Sequence, residues 1–106
     1  MPEFRISVEA ENDIDQIVAY TVTTWSWRQA DLYLAKLEDG FQLLASHSSI
    51  GGACEVLQAG LRKFEIGSHV VFYLPEPDGV LIVRVLHQRM LPTNFFSFGA
   101  WKYHRK

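Results

Sequence analysis

Cysteine is almost missing from this chain. Cys54 is the only one among 106 residues, so no internal disulfide can form and no pair of thiols exists to begin a zinc or redox motif. A reducing compartment suits such a sequence. His69 and His87 have neither a cysteine nor a close histidine at metal-ligand spacing; they read as structural histidines, and no metal or cofactor is expected. Long hydrophobic runs are missing as well. The opening MPEFRISVEAEND carries charges within its first five residues and no apolar stretch fit for a signal peptide or a membrane span, which predicts a cytoplasmic protein without membrane contact. There are no internal repeats and no low-complexity tract, and the length allows one compact core.

What is present is a globular balance: 48% of residues are hydrophobic and 21% charged, too apolar for a disordered chain. The net charge of −2 hides an asymmetry. Residues 1–60 hold nine acidic against three basic side chains, and residues 61–106 three acidic against seven basic. An acidic partner is therefore drawn to the second half, unless the charges are only solvated faces.

Phe4, Ile6 and Val8 alternate with Arg5 and Ser7, the period of a first strand. From about Ala10 the period becomes helical, with Ile14, Ile17, Val18, Thr21 and Trp25 on one face. Glu9, Glu11, Asp13 and Asp15 gather near the start of this helix, where its dipole favours acids. Ser26 and Gln29 have capping-box spacing and predict a second helix. Its stripe is Ala30, Tyr33, Leu34, Leu37, Phe41 and Leu44, with Gly40 as a weak point of about 1 kcal/mol relative to alanine. Residues 47–60 read as a loop. Leu61–Ile66, His69–Leu74 and Val80–Gln88 are strand-like runs separated by hairpin breaks at Gly67-Ser68 and Pro75–Gly79.

The order β-α-α-β-β-β predicts an α+β domain with a helical hairpin on one face of a small antiparallel sheet. Residues 1–91 form the domain, and residues 92–106 an aromatic and basic tail packing on it. In the last strand, simple alternation points Leu81, Val83 and Val85 one way and Ile82, Arg84 and Leu86 the other. Both faces are then apolar, so the face away from the helices needs a cover: Phe95, Phe96, Phe98 and Trp101 of the tail, or a partner.

Three spaced blocks carry a family likeness. The first helix has Ala10, Asp13, Ile17 and Tyr20-Thr21 and ends at Trp25; the second opens with Gln29-Ala30 and Tyr33 and closes with Phe41 and Leu44-Ala45. The strands read Gly60-Leu61-Arg62, Gly67-Ser68-His69-Val70-Val71-Phe72-Tyr73 and Val83-Arg84-Val85-Leu86-His87-Gln88-Arg89-Met90. Together they resemble the ParE branch of the ParE/RelE toxin superfamily over residues 4 to about 91. One departure is Leu91, where ParE-like chains usually carry an aspartate. The resemblance implies the RelE/ParE-like fold and a plasmid-stabilising toxin that inhibits DNA gyrase without catalysis. It also implies a ParD-like antitoxin that neutralises the toxin with a partly disordered segment, so that DNA is contacted only through the antitoxin.

Arg62, Arg84, His87 and Arg89 read either as a cationic strip meeting acidic side chains of a partner, since the guanidinium fork suits carboxylates, or as strand-end residues pairing locally with Glu65 or Asp78. Tyr20, Trp25, Tyr33 and Phe41 read as hairpin core, with the edges of Tyr20 and Tyr33 open to a partner helix. The expected antitoxin contacts are thus Tyr20, Tyr33, Arg62, Arg84, Leu86 and His87, and the expected target contacts are Arg89, Met90, Trp101 and Lys102. The competing activity is a RelE-type ribosome-dependent mRNA endonuclease recruiting Arg62, Arg84, His87 and Tyr103. An inactive, binding-only relative is the third reading.

Overall fold

The computed structural model describes residues 2–96. Strand β1 (Glu3–Ile6) leads into α1 (Val8–Thr24) and α2 (Trp27–Ser46), followed by β2 (Gly52–Ala53), β3 (Arg62–Ile66), β4 (His69–Glu76), β5 (Gly79–His87) and a short 3₁₀ turn, η1 (Pro92–Asn94). The five strands form one sheet in the order β1-β5-β4-β3-β2. The α+β architecture and the helical hairpin on one face are as the sequence predicts. The sheet itself is mixed: β2 to β5 pair antiparallel, whereas β1 lies parallel to β5, with Phe4 opposite Val80 and Ile6 opposite Ile82. A single short edge strand carries no sign of its own direction, and alternation alone suggested no parallel pair.

Helix α1 begins earlier than its apolar period. Ser7 is the cap: its hydroxyl accepts from the Ala10 N–H at 3.0 Å and donates to the Val83 carbonyl at 2.8 Å, which ties the helix start to β5. Val8 is then the first helical residue and 70% exposed rather than part of the strand. Ser26 caps α2 by accepting from the Gln29 N–H at 3.0 Å. The reciprocal half of the box is replaced, because the Ser26 N–H donates to the Thr21 carbonyl.

Two cores result. Between helices and sheet lie Ala10, Leu37, Phe41, Leu44, Val71, Tyr73, Val80, Ile82 and Val85, with Phe4, Ile14 and Ile17 against them. Gly40 belongs to this packing and is not simply a weak point: a Cβ there would overlap Ile66 Cδ1, so the missing methyl is what lets α2 approach β3. On the other face Leu57, Leu61, Phe72, Leu86 and Phe96 are buried together, and Phe96 stacks edge-on against Phe72 at 5.2 Å. The segment before β3 and Phe96 therefore cover much of the second face from within the chain. Phe98, Trp101 and the rest of the tail lie outside the described residues.

Strand β5 does not alternate uniformly. Tyr73 stands opposite Ile82 and Phe72 opposite Arg84, so Val83 is an extra, bulged residue. The bulge puts both Ile82 and Val85 in the helix-side core and Val83 against the second core, correcting the simple alternation. Pairing with β1 stops at Ile82, so from Val83 to His87 one side of β5 has no neighbouring strand among the described residues.

Candidate partner-binding groove

An open groove of about 710 Å³ lies beside that unpaired stretch of β5. α1 supplies Asp13, Gln16, Ile17, Tyr20 and Thr21 to it, its C-cap Trp25 joins them, and α2 supplies Gln29 and Tyr33. The β3–β4 turn and the start of β4 add Ser68 and His69, β5 adds Arg84 to His87, and Met90 and Phe95 close the far lip.

Its polar anchor is Asp13. The carboxylate is 9% exposed; Oδ2 and Oδ1 accept from Arg84 Nε and Nη2 at 2.8 and 2.7 Å, and Oδ2 also accepts from the Val85 N–H at 2.9 Å. This bidentate pair holds α1 to the open edge of β5 and raises the Arg84 pKa above its ordinary value through its hydrogen bonds to Asp13. The guanidinium also lies 5.2 Å from the Phe95 ring centre, within cation–π range. Asp13 is thus no surface acid serving the helix dipole, and Arg84 pairs neither with Glu65 nor with Asp78. The sequence held a signal for this: Asp13 sits three residues after Ala10 and four before Ile17, on the buried face of the helix, where a charge calls for a partner.

At the other end Tyr33 organises the floor. Its hydroxyl accepts from the Ser68 N–H at 3.1 Å and lies 2.6 Å from His69 Nδ1. Gly67, at φ +59°, has no Cβ to collide with this phenol. Burial raises the Tyr33 pKa, while burial and then the neighbouring His87 lower that of His69. His69 and His87 face each other across β4 and β5 with ring centres 5.3 Å apart.

Of the residues picked from sequence, Tyr20, Tyr33, Arg84, Leu86, His87 and Met90 come together around this groove. Tyr20 is 66% exposed, whereas the Leu86 side chain belongs to the second core. Arg62 stands apart: its guanidinium donates to the Gly51 and Ser49 carbonyls and fastens the loop before β2. Arg89 is exposed and does not line the groove. Trp101 and Lys102 lie outside the described residues. Trp25, expected in the hairpin core, is 70% exposed on the groove's rim, because α1 ends at Thr24 and Trp25 leaves the helical path as its C-cap. His69, read from sequence as structural only, and Gln29 also line the groove.

The chain matches the family described as "ParE toxin of type II toxin-antitoxin system, parDE" over residues 4–92. It belongs to the ParE toxin family. Among ParE relatives, Toxin ParE1 of Caulobacter vibrioides is 40% identical over 90 residues, 85% of this chain and 93% of that protein. Toxin ParE1 of Mycobacterium tuberculosis is 36% identical over 88 residues, covering 82% and 90% of the two chains, and Toxin ParE of Escherichia coli is 35% identical over 91 residues, covering 85% and 88%. In three dimensions the chain is similar to one solved as "Chromosomal ParDE TA system from P. aeruginosa", with a TM-score of 0.69 at 15% identity over 82% of this chain and 96% of that one. This likeness establishes the shared fold. Leu91 is the N-cap of η1 and makes no side-chain cap hydrogen bond; an aspartate there is the residue type that caps.

Proposed function

We propose that this chain is the toxin of a type II toxin–antitoxin pair, that it inhibits DNA gyrase by binding it, and that a ParD-like antitoxin neutralises it by filling the groove between α1 and the free edge of β5. The observation that carries the reading is the groove itself. Ile17, Tyr20, Trp25 and Met90 present apolar and aromatic surface there, and Tyr20, Trp25 and Met90 are 66%, 70% and 44% exposed. So much aromatic surface beside a groove of this size suits a helical or extended protein segment. Tyr20, Tyr33, Arg84 and His87 then serve the antitoxin, while Leu86, its side chain in the second core, and Arg62, which holds its loop, act only indirectly. Arg89, Met90, Trp101 and Lys102 serve the target. DNA is reached only through the antitoxin, and the complex works in the cytoplasm; no helix among the described residues is long and apolar enough to cross a membrane.

The action is read as non-catalytic. A nuclease centre needs its cations free to meet a phosphate, but Arg84 is committed to Asp13 and Arg62 to loop carbonyls. Expression in a bacterium separates the readings. Filamentation with DNA damage is expected; translation arrest with cleaved transcripts refutes the gyrase reading in favour of the nuclease, and unaffected growth refutes it in favour of an inert relative. Purified chain freed of antitoxin should also block gyrase supercoiling. Replacing Trp25 and Tyr20 by alanine should weaken antitoxin capture by tenfold or more, because truncated aromatic anchors each cost roughly 1–3 kcal/mol.

A further inference from the structure

We propose that His69 and His87 form a receptor for a carboxylate that works together with a proton, so that an acidic side chain of the protein filling the groove binds with uptake of about one proton. This rests on the reading of the groove as the antitoxin site and adds the chemistry of its floor. The two histidines are register partners across β4 and β5, and their rings meet edge to face, with centres 5.3 Å apart and planes at 82°. In each ring Nδ1 already has a partner: the Tyr33 hydroxyl at 2.6 Å for His69, and the Arg89 backbone N–H at 3.1 Å for His87. Both residues line the groove, and among the described residues neither Nε2 makes a hydrogen bond. Because His87 Nδ1 accepts a hydrogen bond, the proton of its neutral ring resides on Nε2, which is then a donor to an anion. The Tyr33 hydroxyl donates to the Ile66 carbonyl at 3.3 Å, so the neutral His69 ring donates from Nδ1 to that hydroxyl and has a second donor, at Nε2, only when protonated.

The surroundings decide the proton count. α1 contributes Asp13, spent on Arg84 and the Val85 N–H, with Glu9 acting on Arg84 only through its field. α2 contributes the neutral Tyr33, and β5 contributes Arg84, whose charge Asp13 balances. Among the described residues lining the groove there is no other carboxylate. Burial first and then the neighbouring His87 hold His69 below its ordinary pKa, with Asp13 pulling the other way, so the empty floor disfavours a charge on this ring. A carboxylate placed on the groove side, against both rings, reverses that preference. By linkage, binding must then tighten as pH falls through the histidine range, by up to about tenfold per pH unit for one proton.

The test is calorimetry of the full chain with a ParD-type antitoxin at several values between about pH 8 and pH 6, in buffers of different ionisation enthalpy. The expected results are uptake of about one proton and progressively tighter binding towards pH 6. His69→Gln and His87→Gln should each flatten the slope, while His47→Gln, at the exposed end of α2, should leave it unchanged. Ring NMR of the unmodified complex should show His69 protonated at a pH where the free chain has it neutral, a readout that does not depend on variants folding. Binding that is equally tight across the range without proton uptake, or a slope that survives in the double variant, overturns the receptor but leaves the antitoxin reading standing. No binding at any pH overturns both.

Discussion

Replacing Asp13 by alanine removes three hydrogen bonds at once and leaves two donors stranded, Arg84 and the Val85 N–H. A hydrogen bond to a charged group contributes about 1.5–3 kcal/mol, and an unsatisfied buried amide costs about 1–3 kcal/mol. The pair is not sealed, however. Its side chains are 18% and 10% exposed, so Arg84 recovers part of its hydration and the full loss of a buried ion pair is not reached. The expected destabilisation is about 3 kcal/mol, read as a fall in Tm of about 15 °C for a domain of this size. Asp13→Asn keeps one acceptor and should lose about half as much. Urea unfolding of Asp13→Ala, Arg84→Ala and the double variant measures the coupling directly, and hydrogen exchange at the Val85 amide shows whether the edge has opened. A loss under about 1 kcal/mol, or single losses that add to within about 0.5 kcal/mol, would refute the assignment of this pair as the clamp between α1 and β5.

Tyr73→Phe should cost about 1–2 kcal/mol in urea unfolding, because the buried hydroxyl donates to the Ser48 carbonyl at 2.7 Å and accepts from the Gly51 N–H at 3.0 Å. Gly40→Ala should destabilise by about 1–2 kcal/mol despite alanine's helix propensity, and Ile66→Val in the same chain should recover most of that by removing Cδ1. The depressed pKa of His69 means that the unfolded chain binds its proton first. Its contribution to stability is complete above the unfolded value of about 6.5 and is lost as pH falls through the lower, folded value; thermal melts should show the decline, and His69→Gln should reduce it. Leu91→Asp should raise Tm by a few degrees, since it supplies η1 with the cap it lacks, worth about 0.5–1 kcal/mol.

The helical hairpin and four of the five strands could be read from period and punctuation, because each helix keeps a wet face and Gly or Pro breaks separate the later strands, and Ser26 marked the second helix directly. The features that shape the groove were harder to see. Ser7 looked like the polar position of a strand, yet it caps a helix and bonds across to β5. Asp13 looked like one more acid near a positive helix end, and only its place on the apolar face hinted at a partner 71 residues away. Val83 kept a regular alternation on paper while the chain bulged beneath it, and a bulge depends on the strand opposite. Tyr20, Tyr33, Arg84 and His87 were recognisable as a set through family likeness. Arg62 has the same chemistry as Arg84 but serves a loop, a difference that only the position of Gly51 reveals.

The unpaired stretch of β5 also bears on solubility. A bare strand edge is a template on which another copy can stack and seed aggregates. Here Ser7 occupies the Val83 carbonyl and Asp13 the Val85 N–H, so a second chain arriving at this border would first have to displace two side chains that the fold itself requires. The clamp that fastens the helix thus guards the molecule against sticking to itself while it waits for its companion.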